Sequence, residues 1–267
     1  PYNALNMNIT AISVCVNYSD FACWSIMANK DLFSKWIIVT DTKDELTKQL
    51  CSYHGVQCIQ TDIFYEDGSF KKFKGINEAL KKVGNNEWVV FIDIDMVLPP
   101  HTKRVFSELE FDKKCIYGID RVNCNGIQSW IKFVNNPRLI IDSWLLTPSG
   151  MNLGSRIIHL YGQRGDNGKF GGYKPLGFFQ MCHTSQFSKY PDECKGADHC
   201  DIVFANLWSR SQRHLIPEIL GVHLESEDNK WGTNWNGRQT APFMYSISSA
   251  EIEVFKTIQN TKDEQNY

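Results

Sequence analysis

The sequence predicts an α/β fold built on a mostly parallel sheet. Three observations carry that expectation. Strand-like and helix-like segments alternate through the first hundred residues, the pattern of a doubly wound sheet. Trp88-Val89-Val90-Phe91-Ile92 is an unbroken apolar run, as in a strand buried on both faces. The run ends in Asp93-Ile94-Asp95, and Pro99 and Pro100 stop the strand because proline donates no ladder hydrogen bond. In such sheets ligands bind beyond the carboxyl ends of the strands, where these two acids fall.

The elements follow in order. Residues 1–7 read as a disordered lead, and 8–16 as the first strand, closed by the polar turn Asn17-Tyr18-Ser19-Asp20. Residues 21–29 form a helix with Phe21, Trp24, Ile26 and Met27 inward. A second strand, 36–40, ends at Asp41. Thr42 and Glu45 have capping-box spacing, Leu46 and Leu50 supply an apolar stripe, and Gly55 supplies the stop. Residues 56–60 make a third strand, and 75–83 a helix facing inward through Ile76, Ala79, Leu80 and Val83. The right-handed crossover rule then sets Asn17, Asp41 and Asp93 along one edge.

The second half is mixed in texture. A helix over 101–109 and a strand over 114–121 are followed by loops through 150–174, rich in Gly, Asn and Arg. A strand over 176–181, a helix over 202–210 and a short strand over 219–224 come next. The polar stretch 225–238, with Trp231 and Trp235, reads as a loop able to close over a ligand. Ser248 and Glu251 cap a last helix to 258. With no repeat and no low-complexity linker, residues 1–267 read as one domain. Its first half spans 8–100, its mixed half 101–240, and a C-terminal helix and tail fill 241–267.

Composition narrows the function. A net charge of -2 gives no reason to expect nucleic acid or an anionic membrane as partner. Nine scattered cysteines without a C-x-x-C pair argue against a disulfide framework and for a reducing compartment. Cys182, His183, Cys194, His199 and Cys200 lack finger spacing, so buried thiols are expected there rather than zinc. No signal peptide and no membrane segment is read. The expected location is cytoplasmic, the host cytoplasm for a viral chain, with a lumenal location behind a removed anchor the lesser alternative. The sequons at Asn8 and Asn17 are read as chance, since both fall in or beside a strand expected to be buried.

Two carboxylates one residue apart, with no base between them, raise each other's pKa unless a cation intervenes, and a hard divalent metal suits them. A solvated loop start with two acids is the ordinary alternative. The ordered set Asn77-Glu78-Ala79-Leu80, Glu87 through Asp95, Gly196 through Asp201, and Val222-His223-Leu224-Glu225-Ser226 resembles GT-A glycosyltransferases close to family 2. Gly177-Phe178-Phe179-Gln180 and Asn234-Trp235-Asn236-Gly237-Arg238 are similar to glycosyltransferases of bacteria, phages and large DNA viruses. The likeness spans roughly residues 10 to 240. It implies a GT-A fold: Rossmann-like, with a mostly parallel central sheet flanked by helices and a smaller mixed acceptor-side half.

The resemblance also implies roles. Asp95 and His223 would ligate Mn²⁺ or Mg²⁺, with Asp93 on the ribose or a metal-bound water. A nucleotide-diphosphate sugar, UDP-sugar favoured, would be the donor, and a glycan or glycoconjugate hydroxyl the acceptor. Asp198 would be the base of an inverting transfer, with Asp201 its alternative. Ala197 stands where the family often has Glu, a departure that bears on acceptor contacts. Asn17 and Asp41 would flank the base, and Asn77 with Lys72 or Lys74 would meet ribose and phosphate. Arg238 would pair with the diphosphate, and Trp235, Phe178 and Phe179 would form the acceptor platform. Each has an ordinary alternative: a satisfied histidine, a helix-start acid, a solvated lysine, a core phenylalanine.

Two other classes compete. Asp93-Ile94-Asp95-Met96-Val97 also fits a haloacid dehalogenase-like phosphatase, with Asp93 as nucleophile, although strand-helix units precede it here. A non-catalytic nucleotide- or sugar-binding module would keep the fold and need no base. A nucleotidyltransferase is disfavoured, since no Gly-rich phosphate loop follows the first strand.

Overall fold

In a computed structural model of the 267-residue chain, residues 7–66, 68–135, 156–157, 173–192, 199–230 and 232–243 are described. The first half alternates as expected: β1 (Ile9–Val14), α1 (Ser19–Asn29), β2 (Lys35–Asp41), α2 (Glu45–His54) and β3 (Gln57–Thr61). A small hairpin of β4 (Tyr65–Glu66) and β5 (Ser69–Phe70) leads into α3 (Lys72–Leu80) and β6 (Trp88–Ile92). After the two acids come β7 (Met96–Val97), α4 (Thr102–Glu108), β8 (Ile116–Asn125) and α5 (Ile127–Asn135). The remaining elements are β9 (Arg156–Ile157), β10 (Phe179–His183), α6 (Cys200–Ala205) and β11 (Arg213–Glu225).

One sheet runs in the order β3-β2-β1-β6-β10-β8-β11-β7, with β9 beside β8. β3, β2, β1 and β6 are mutually parallel, as are β8 and β11, while β10 runs antiparallel between the two blocks. Two antiparallel steps restore direction, so the carboxyl ends of β1, β2, β6, β8 and β11 share one edge. This is the α/β, mostly parallel, helix-flanked sheet that the sequence predicts.

Side-chain alternation builds a core on both faces. Trp88, Val90 and Ile92 enter one cluster with Trp36 and Ile38, while Val89 and Phe91 enter the other with Ile37 and Val39. β6 is therefore buried throughout, which explains its unbroken apolar run. Fully burying a side chain of this kind stabilises by roughly 1.5–3 kcal/mol.

Several elements differ from expectation. Asp44, not Thr42, caps α2, accepting from Thr47 N at 3.1 Å. Gly55 ends the helix in the left-handed region, φ 68°, as foreseen. Leu46 is exposed, and α2 instead buries Thr47 and Cys51 against the sheet. α3 begins three residues early, bringing Lys72 into its first turn. β8 runs to Asn125, and β11 starts at Arg213 with a register shift between Leu215 and Leu220. α5 has no counterpart among the expected elements. Asn8 and Asn17 are both exposed, against the burial invoked for the sequons. The expected C-terminal helix, and most of the stretch 150–174, lie outside the described residues. Among the described residues eight cysteines are free thiols, and most of them are buried.

Candidate metal centre and substrate cavity

The shared carboxyl edge gathers the polar residues. Asp93 N donates to Phe178 O at 3.2 Å and Met96 N to Asp93 O at 3.1 Å, so the chain turns tightly after β6. Leu224 N donates to Asp95 O at 2.8 Å, and His223 pairs with Met96 across β7 and β11. That stitching brings an imidazole more than a hundred residues away onto the acids. Asp93, Asp95 and His223 each offer an atom within 4.8 Å of the others, and this is the one such metal-capable group among the described residues.

The two acids sit among cationic groups. His223 Nε2 is 3.3 Å from Asp95 Oδ1, and Nδ1 is 2.9 Å from Glu225 Oε1. Asp95 Oδ1 is buried and has no hydrogen-bond partner: the imidazole stands at ion-pair distance without the alignment. Burial and Arg121 push the His223 pKa down, but Asp95 and Glu225 outweigh them and hold it at about 9. Asp95 is held below the ordinary range: burial opposes, and the charge of His223 prevails. Asp93 is pushed up by burial, with Asp95 adding and Lys72 resisting. The Lys72 ammonium bonds Asp93 Oδ1. For this pair we take the charged form, because Asp93 raises Lys72 against its burial. Two carboxylates and one imidazole form a borderline-hard donor set suited to Mn²⁺ or Mg²⁺.

These residues form part of the wall of a cavity of about 540 Å³. Phe178, Asp201, Arg121, Asn123, Tyr18 and Trp235 share the lining. The Arg121 guanidinium lies 4.5 Å over the Phe178 ring, a cation–π contact. Asp201 accepts from Gly177 N at 2.7 Å and from Ile202 N at 2.8 Å, fixing α6 against the start of β10. Trp235 is 38% exposed.

Other expected site residues take different places. Asn77 clamps a backbone: Nδ2 donates to Tyr190 O at 3.0 Å and Oδ1 accepts from Tyr190 N at 2.8 Å. It lies off the cavity lining, and its amide serves packing rather than ribose. Lys74 pairs with Glu66, also off the lining. Arg238 is no free diphosphate clamp. It grips Asp20 bidentately at 2.5 and 2.9 Å, stacks over Tyr18 and Phe21, and donates to Ala241 O at 2.7 Å. It therefore staples the loop after β11 to α1. Phe179 is fully buried core, whereas Phe178 reaches the cavity. Asn17, φ 59°, donates its N–H to Asp44 Oδ2 at 2.7 Å, and Asp41 caps the turn through Lys43 N at 2.9 Å. Both stand on the site edge, outside the cavity lining. Asp198 lies outside the described residues.

Arg121, Asn123 and Glu225 carry site chemistry that the sequence reading missed. For the two on β8 a signal existed: polar Arg121, Asn123 and Asn125 alternate with apolar Val122 and Cys124 at the carboxyl end of a strand.

No family model and no curated protein matches the chain. Among solved structures, it is similar to glucosyl-3-phosphoglycerate synthase from Mycobacterium tuberculosis in complex with phosphoglyceric acid. Identity there is 13%, over 82% of this chain and 71% of that one, at TM-score 0.43. It is also similar to the inositol-1-phosphate CTP transferase from T. maritima, with 11% identity over 83% of this chain and 90% of that one, at TM-score 0.44. Likenesses this distant leave the function to be argued from the site.

Proposed function

We propose that the chain is a metal-dependent glycosyltransferase that moves a sugar from a nucleotide-diphosphate sugar, a UDP-sugar first, to a hydroxyl of a glycan or glycoconjugate. The observation that carries this is the meeting of Asp93, Asp95 and His223 at the carboxyl edge, on the wall of a cavity of about 540 Å³. The donor would lie with its base toward the ends of β1 and β2, near Asn17 and Asp41, and its diphosphate at the three ligands. Mn²⁺, or Mg²⁺, bound there supplies Lewis-acid stabilisation of the leaving nucleoside diphosphate.

The protein's own groups do the rest. Lys72, released from Asp93 as the acids take up their ligand, offers an ammonium to the phosphates. The acceptor oxygen bonds to the anomeric carbon as the bond to the phosphate oxygen breaks, and its proton passes to Asp198. Trp235 and Phe178 offer apolar faces to the acceptor.

A thermal-shift screen of UDP-, GDP- and dTDP-sugars with and without Mn²⁺ tests the reading. The expected result is a rise in melting temperature that needs nucleotide and metal together, about 2.7 kcal/mol at a hundredfold excess over Kd. A flat response to every nucleotide sugar in the presence of Mn²⁺ would sink it.

A further inference from the structure

Two polar atoms of β8 that line the cavity are left unmatched among the described residues. Arg121 Nε and Asn123 Oδ1 are buried, line the cavity, and have no hydrogen-bond partner among the described residues. Arg121 and Asn123 alternate along β8, so they share a face. In register, Asn123 stands directly beside His223 and Arg121 beside Gly221. An orphaned buried donor or acceptor is unfavourable, and a ligand that completes it recovers the loss.

The chemistry of the missing group can be narrowed. It must accept from a guanidinium N–H and donate to an amide oxygen two residues along the same strand. A phosphate or carboxylate would satisfy the first atom and be repelled by the second. A pair of hydroxyls satisfies both. Sheet order narrows its position as well. β8 lies on the far side of β6 from β1 and β2 and next to β11, so a ligand there is beside the metal ligands and away from the nucleotide base. The guanidinium is held flat on Phe178, which orients its donors before a ligand arrives.

We propose that Arg121 and Asn123 read the hydroxyls of the transferred sugar and so set donor specificity, an inference that rests on the donor reading above. The test compares Mn²⁺-supported binding of nucleotide sugars with binding of the nucleoside diphosphate alone, by calorimetry. The probes are UDP-glucose, UDP-galactose and UDP-N-acetylglucosamine against UDP. Arg121→Lys keeps the cation and removes the planar Nε–H, and Asn123→Ala removes the acceptor.

Each variant is expected to lose about tenfold in affinity for the sugar nucleotide that the parent prefers, with UDP affinity within twofold of the parent. Discrimination among the three sugars should shrink in step. Retained UDP binding also certifies that a variant is folded. Equal losses for UDP and UDP-sugar would overturn the inference, because the residues would then serve the diphosphate. Unchanged affinity for both would overturn it too, leaving the donor reading intact. A parent that binds none of these nucleotides would overturn the UDP-sugar reading and this one together.

Discussion

His223 carries a proton where a metal needs a lone pair. Its pKa is raised above the ordinary 6.5 to about 9. In the metal-free protein the stability it contributes is full below pH 6.5 and lost as pH rises through about 9. Metal binding has the opposite sign, since the ion must displace that proton. Mn²⁺ affinity measured calorimetrically is therefore expected to rise roughly tenfold per unit from pH 6.5 to 8, and His223→Gln to flatten the slope. Arg238 yields a contrast at the same scale. Its pair with Asp20 is largely buried, at 10% and 16% side-chain exposure. Removing one partner strands the other, at about 3 kcal/mol. Arg238→Ala is expected to lower the melting temperature by roughly 6–12 °C while UDP affinity below the transition stays near the parent value. A diphosphate clamp would give the reverse: normal melting and weak UDP binding.

At the scale of elements, Asp44 is the join between the first two strand-helix units. Its carboxylate caps α2 through Thr47 N at 3.1 Å, accepts from Thr47 Oγ1 at 2.8 Å and Thr40 Oγ1 at 3.1 Å, and holds Asn17 N at 2.7 Å. Asp44→Ala is expected to cost about 2–4 kcal/mol in denaturant unfolding, more than a simple cap, because buried donors lose their acceptor. The sequence put the cap at Thr42 because capping-box spacing is a local rule, and the carboxylate that three other groups converge on wins over it. β6 was legible for the opposite reason. Its apolar run must be buried wherever the chain goes. The lengths of β8 and β11 were not, because the polar carboxyl end of β8 and the polar amino end of β11 look like loop until each strand has the other as partner.

For the molecule as a whole, the competing classes separate on one substitution and one adduct. Asp198→Asn is expected to abolish sugar transfer while donor binding and melting temperature stay near the parent's, whereas a binding module would show no activity to lose. Beryllofluoride should give no aspartyl adduct at Asp93, the adduct a phosphatase would form. Taken by itself, the sequence determined the α/β class, the buried central strand and the acid pair at its tip, whereas His223 as their partner entered only with the resemblance to a family. The first three features are written in local composition and in strand order, which survive any detail of packing. Tertiary structure alone decided that Arg238 is a staple, Asn77 a backbone clamp and Phe179 core, and that Arg121 and Asn123 face the cavity. The physical reason is that a polar side chain takes whichever partners burial brings within about 3 Å, and those partners come from strands far apart in the chain.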